Sequence, residues 1–140
     1  MELEQCLNFV LTKAQRNIHQ LFKAELAPFG VTPGQYGILR CLWDENAQTA
    51  KKLADRLALD GSTITGILDR MEQKGLIEKQ TDPKDRRAMQ VMLTAKGKKL
   101  QKPVSEAIET ANRRALVKFD QQEAEFLKNV LEEIGSIEPK

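Results

Sequence analysis

At 140 residues and 41% hydrophobic composition, the chain suits one compact domain, or a small domain with dimerisation helices attached. Two cysteines, Cys6 and Cys41, are too few for a disulfide scaffold, and one histidine is too few for a His-built zinc site. A net charge of +2 does not by itself argue for nucleic acid; with no apolar run of membrane length and no secretory segment at Met1–Gln5, the chain reads as cytoplasmic.

Residues 3 to 27 predict a long helix. Leu3, Leu7, Val10, Leu11, Ala14, Ile18, Leu21, Phe22 and Leu26 make a stripe wider than one neighbour requires. Such a helix in a small protein is expected to pack on a second chain as well as on its own. Pro28 and Gly30 end it. Thr32 is placed to cap the next helix, with Pro33 at its first position. Tyr36, Leu39, Leu42 and Trp43 give that helix a buried face, and Cys41 reads as a small core residue. Asp44-Glu45-Asn46 breaks it. Thr49 caps a third helix through Leu53, Ala54 and Leu57, and Ala58-Leu59-Asp60-Gly61 is the turn into a fourth.

That fourth helix organises the chain. Asp60 is its N-cap, Gly75 its C-terminal stop, and Leu76 the closing apolar contact. Ile64, Ile67, Leu68 and Met71 form its buried face. Its other face opens with Ser62, Thr63, Thr65 and Gly66, which are small and uncharged. A helix of that kind can bring its backbone deep into a DNA major groove. Two short helices with a tight turn, the second polar at its start, make a helix-turn-helix. Leu76 to Gln80 then predicts a strand, Asp82 to Arg87 a polar turn, and Ala88 to Leu93 a second strand. Helix, strand, basic tip and strand are the order of a winged helix.

Thr94 caps a long helix from Ala95 to about Val117. Pro103 falls inside it and is expected to kink it near Lys99 to Gln101. Asp120 to Glu123 reads as a capping box for a last helix through Phe126, Leu127, Val130, Leu131 and Ile134, stopped by Gly135. The tail to Lys140 is expected to be loose. Charge divides along the chain. Asp82 to Lys102 holds seven basic residues against two acidic ones, and Phe119 to Lys140 holds six acidic against two basic. One face is thereby suited to phosphate.

Residues 60 to 97 resemble the recognition helix and wing of the multiple-antibiotic-resistance regulator (MarR) family. The resemblance rests on Asp60 to Gly75, then Leu76-Ile77, then Asp85-Arg86-Arg87, then Val91-x-Leu93-Thr94-x-x-Gly97. The Asp-Arg-Arg followed by a strand and Leu-Thr-x-x-Gly is its specific part, and chain length and element order agree. It implies a mainly α winged helix-turn-helix with a two-stranded β-wing, acting as a homodimer. Residues 1–30 would be an N-terminal dimerisation helix, 31–98 the DNA-binding region and 99–140 C-terminal dimerisation helices, all in one compact unit. It further implies that Ser62, Thr63, Thr65 and Arg70 face the bases. A hairpin tip of Lys84, Arg86 and Arg87 can reach backbone phosphates or enter a minor groove, and the resemblance implies that Arg87 is the minor-groove arginine, oriented by Asp85. Many members carry a longer polar or basic side chain where this chain has Gly66.

Family members commonly bind anionic aromatic effectors between the dimerisation helices and the winged helix. Lys13 and Arg16, one turn apart, and Tyr36 are the candidates here. Another branch senses hydroperoxides through a cysteine in the first helix, but alignment on Tyr36 places Leu11 at that position. Cys6 lies more than a turn away. The sequence shows no phosphate-binding glycine loop, no Ser-His-Asp set and no metal-ligand cluster, and His19 sits among polar neighbours. No enzyme, metal or cofactor is expected. The reading is a sequence-specific regulator of transcription that binds an inverted-repeat operator and is released by a ligand. A winged helix used for protein interaction, or a thiol sensor acting through Cys6, remain alternatives.

Overall fold

The computed structural model describes residues 1–139, and for Arg86 and Arg87 the backbone alone. Helices predominate. The first, α1 (Leu7–Leu26), starts later than its apolar stripe suggests. Leu3–Gln5 form a separate 3-10 turn, and Cys6 between them is extended, with no side-chain cap on α1. A second 3-10 turn, Ala27–Phe29, follows α1 and contains Pro28; Gly30 then takes a left-handed φ of 67°. α2 (Pro33–Asp44) begins at a full capping box. Thr32 accepts from the Gln35 N–H, and the Gln35 side chain accepts from the Thr32 N–H. The sequence signals for Thr32 and Pro33 thus set its start, and Ile38, Leu39, Cys41 and Leu42 carry its buried face.

α3 (Ala50–Leu57) is capped by Thr49, which accepts from Lys52. The turn that follows differs from its sequence reading. Ala58 is the left-handed residue, at φ 55°, and Gly61 is already the first residue of α4 (Gly61–Gln73). The Leu59 N–H bonds the Ala54 carbonyl at 2.9 Å, so the turn fixes Ala58 against a conformational cost of roughly 1–2 kcal/mol. α4 ends as expected. Gly75 is left-handed at φ 76°, its N–H meets Glu72 O, and the Leu76 N–H meets Met71 O, both at 3.0 Å. This places Leu76 in the core, 1% exposed, and launches the wing from the end of α4.

The wing is longer and its tip tighter than the sequence implies. β2 (Ile77–Asp82) and β3 (Asp85–Leu93) pair antiparallel from Ile77 opposite Leu93 to Thr81 opposite Met89, then shift so that Asp82 faces Asp85. Only Pro83 and Lys84 form the turn. Arg86 and Arg87 belong to β3 rather than to a loop, in the stretch where the register shifts between Met89 and Asp85. The expected two-stranded sheet also gains a member. β1 (Gln48–Thr49) pairs antiparallel with β3, Gln48 opposite Val91, in the order β1-β3-β2. Gln48 is buried, and its amide donates to Cys41 O at 2.8 Å and Glu45 O at 2.6 Å. It thereby adds a second donor to Cys41 O, which already accepts from the Glu45 N–H at 3.0 Å, and gives Glu45 O a partner just past α2.

Thr94 links wing to body twice. Its hydroxyl donates to Gly75 O at 2.6 Å and accepts from the Gly97 N–H at 3.1 Å. That caps α5 (Ala95–Lys99). α6 (Gln101–Ala115) follows after a break at Leu100, where the sequence places the kink. Pro103 has no N–H for the Lys99 carbonyl, so the ladder lapses there. Val104, Ala107, Ile108 and Ala111 of α6 are buried, and α6 packs against α1 and α2. α7 (Gln121–Gly135) opens on the Asp120–Glu123 capping box. Gly135 is its last residue, as expected, and Ser136 caps the end, its hydroxyl donating to Glu132 O at 2.9 Å. The tail reading extends to Lys140, outside the described residues.

The core lies under the helix-turn-helix. Leu26, Ile38, Leu39, Leu53, Met71, Ile77 and Val104 are all at or below 1% exposure. The terminal helices contribute far less. Only Leu26 of α1 is buried, and no residue of α7 is.

Candidate nucleic-acid interface

The first turn of α4 is a local hydrogen-bond network. Asp60 Oδ1 accepts from the Thr63 N–H at 2.7 Å and from the Ser62 hydroxyl at 2.9 Å. The Thr63 amide, followed by the Thr63 and Ser62 side chains, holds the Asp60 carboxyl below the usual carboxylate range. The Thr65 hydroxyl donates back to Gly61 O at 2.8 Å. Ser62, Thr63, Thr65 and Arg70 are all exposed. The structure therefore brings the four predicted α4 residues onto an open helix surface. Ile64, Leu68 and Met71 anchor its opposite side.

Gly66 lies in this surface, and a Cβ added there meets nothing within 4 Å. The missing side chain is no packing requirement. Gly66→Ala should stabilise the protein by about 0.5–1 kcal/mol, since a mid-helix glycine loses more backbone entropy on folding. Chemical denaturation measures it; a destabilised variant would mean that this surface of α4 is occupied within the folded protein.

At the wing tip Lys84 is exposed, and its N–H donates to Asp82 Oδ1 at 2.8 Å. Asp85 is exposed at the start of β3. The expected orientation of Arg87 by Asp85, and the phosphate role of Arg86, concern side chains outside the described residues. Two links missed by the sequence reading hold the wing and the helix after it to the body. Asn46 Oδ1 accepts from the Leu93 N–H at 2.9 Å, and the Trp43 indole donates to Gly97 O at 3.0 Å. Neither has a periodic or motif signal; both arise only when distant segments meet. Lys74 likewise ties the end of α4 to Gly30 O at 2.8 Å and to Gln35 Oε1 at 2.9 Å.

The expected effector residues are not gathered in this chain. Lys13 lines an open cleft of roughly 380 Å³ with Glu4, Phe9, Val10, Ala14 and Asn17. Arg16 is exposed on α1 outside that lining. Tyr36 is on α2, half-buried and edge-on to Trp43 at 6.4 Å between ring centres. Burial pushes its phenol above the ordinary range. Cys6 is a partly exposed free thiol, Leu11 is partly buried, and Cys41 is buried, with burial pushing its thiol up. No group of His, Cys, Asp and Glu suited to a metal occurs among the described residues. No described helix is long and apolar enough to cross a membrane.

Helix-turn-helix, an open polar recognition helix and a hairpin wing define a winged-helix regulator of the DNA-binding class. Known proteins agree. The model of the MarR family matches residues 31–89. The organic hydroperoxide resistance transcriptional regulator of Bacillus subtilis is 37% identical over 97 residues, 69% of this chain and 66% of that protein, just under two thirds of its length. The HTH-type transcriptional regulator MgrA of Staphylococcus aureus is 33% identical over 106 residues, 75% of this chain and 72% of that one. Among solved structures, the transcriptional repressor CouR bound to a 23-mer DNA duplex matches with a TM-score of 0.88 at 26% identity, over 96% of this chain and 95% of that chain. The chain belongs to the MarR family of transcriptional regulators.

Proposed function

We propose that this regulator is a cytoplasmic homodimeric repressor that binds an inverted-repeat operator and is released by a small anionic or aromatic ligand. It acts by binding rather than catalysis. One observation carries the reading: α4 presents a capped, uncharged first turn of exposed Ser62, Thr63 and Thr65 beside a wing tipped by Lys84. CouR, of the same fold, is described as a repressor bound to duplex DNA. In the assigned roles Ser62, Thr63, Thr65 and Arg70 approach base edges, Lys84 and Arg86 approach phosphates, and Arg87, oriented by Asp85, enters the minor groove. Lys13, Arg16 and Tyr36 serve the ligand. The test is selection of bound fragments from random duplex DNA, with and without cell extract. It should yield half-sites about one turn apart, roughly 34–36 Å. Affinity should fall by about 0.9 log units per log unit of salt for each phosphate neutralised. Release by extract supports a ligand. Enrichment of no sequence would overturn the reading.

Dimerisation, with 1–30 and 99–140 as its helices, is supported by what the chain leaves uncovered. Leu7, Val10 and Ile18 of α1, and Phe126, Leu127 and Leu131 of α7, are exposed apolar residues on elements with almost nothing buried. Contiguous apolar surface of this kind marks an interface. Unfolding should then be coupled to dissociation, and the melting temperature should rise with protein concentration. A melting temperature independent of concentration across the micromolar range, with a monomer in sedimentation equilibrium, would refute it.

A further inference from the structure

The recognition helix carries a carboxylate in line with its groove-facing residues. Asp69 is seven residues past Ser62. At 100° per residue that returns it to within about 20° of Ser62, on the stripe of Thr65 and Gly66 and about 10 Å further along the axis. Its side chain is 53% exposed. A bare carboxylate there would repel a duplex seated on Ser62 and Thr65. It is not bare. Lys79 of β2 donates its ammonium to Asp69 Oδ1 and lies 4.0 Å from Glu72 Oε1. Lys79 is only 26% exposed, the most shielded of the three. Its backbone is fixed far from the wing tip, opposite Val91, which is 1% exposed and is also the partner of Gln48. One cation anchored in the sheet therefore meets two carboxylates of the recognition helix.

We propose that Lys79 is a positioning residue for DNA binding: anchored in the first strand of the wing, it masks the Asp69 carboxylate on the groove-facing side of α4. This rests on α4 being the helix that enters the groove. A part-exposed pair contributes little to folding. Its effect lies in the field that an approaching phosphate meets. The masking role separates from a direct phosphate contact by what happens when both charges go. If Lys79 masks Asp69, neutralising Asp69 makes Lys79 dispensable. If Lys79 binds phosphate itself, or only braces the fold, it does not.

The experiment is a double-mutant cycle on duplex binding, using the fragment that the wild-type protein selects from random DNA, across a range of salt. Lys79→Met should weaken binding roughly fivefold at low salt, where an unmasked carboxylate counts most. Asp69→Asn alone should bind at least as tightly as wild type. Lys79→Met with Asp69→Asn should return to within about twofold of wild type, with the wild-type salt slope. Lys79→Arg, which keeps the charge, should bind as wild type does. Melting curves of each variant confirm that the compared proteins are folded. A Lys79→Met protein that binds like wild type overturns the proposal. So does a double variant as weak as Lys79→Met, and so does weaker binding by Asp69→Asn, which would make Asp69 a reader of bases. A wild-type protein that selects no duplex removes the assignment of α4, and this inference with it; binding by wild type with any of the former results removes this inference alone.

Discussion

Thr63→Glu should abolish specific DNA binding while the protein stays folded. Thr63 is exposed at the start of α4, and both its backbone N–H and its side chain act on the Asp60 cap. A glutamate at this position keeps the N–H bond and loses the hydroxyl. Its charge suits the positive end of a helix dipole, which offsets that loss, so α4 should stay folded. Against DNA the same charge meets phosphates and acceptor-lined base edges. The expected loss is a hundredfold or more, about 3 kcal/mol, the scale of one base contact turned to repulsion. Binding titrations alongside far-ultraviolet circular dichroism separate the two effects. Unchanged affinity would mean that α4 stays out of the groove.

The largest effect on stability should come from Gly97→Ala, far from any base. A Cβ at Gly97 falls 2.3 Å from the carbonyl oxygen of Leu76 and 3.1 Å from Leu93 Cδ2. The obstacle is backbone, not the end of a flexible side chain. That carbonyl also accepts the Thr94 N–H at 3.1 Å, so moving it disturbs the joint between wing and α5. Overpacking with a strained hydrogen bond should cost about 2–4 kcal/mol. Thermal unfolding should show a drop of roughly 10 °C. A shift of less than about 1 °C would show that α5 slides away from Leu76 at no cost. Glycine is needed here for closeness, not for an unusual φ.

What the sequence disclosed was chiefly where helices begin. Thr32, Thr49, Asp60, Thr94 and Asp120 each accept the expected N–H three residues on. A cap is a local bond between near neighbours, and local bonds leave local signals. Pro103 announced the break at Leu100 for the same reason. β1 left no trace, because two residues have no period and Gln48 becomes a strand only through Val91. The early start of β3 was hidden by its charges. Among the candidate site residues, Ser62, Thr63 and Thr65 could be placed from helical spacing, and Arg70 only through the family resemblance. Lys79 could not: its partners are ten and seven residues away across a turn, where neither period applies. Gly97 was legible only as part of a motif, and its packing reason needed the Leu76 carbonyl.

The cap of α4 also fixes the polarity of what its hydroxyls can recognise. A hydroxyl has one proton to give. Ser62 has given its proton to Asp60, and Thr65 has given its own to the carbonyl of Gly61. Lone pairs are what both residues still offer outward. In the major groove only the amino groups of adenine and cytosine complement a lone pair; the major-groove edge of guanine offers acceptors alone. A duplex seated along this turn, as proposed, would therefore be read by hydroxyls biased against guanine, and the bias would be written by the same two bonds that start the helix.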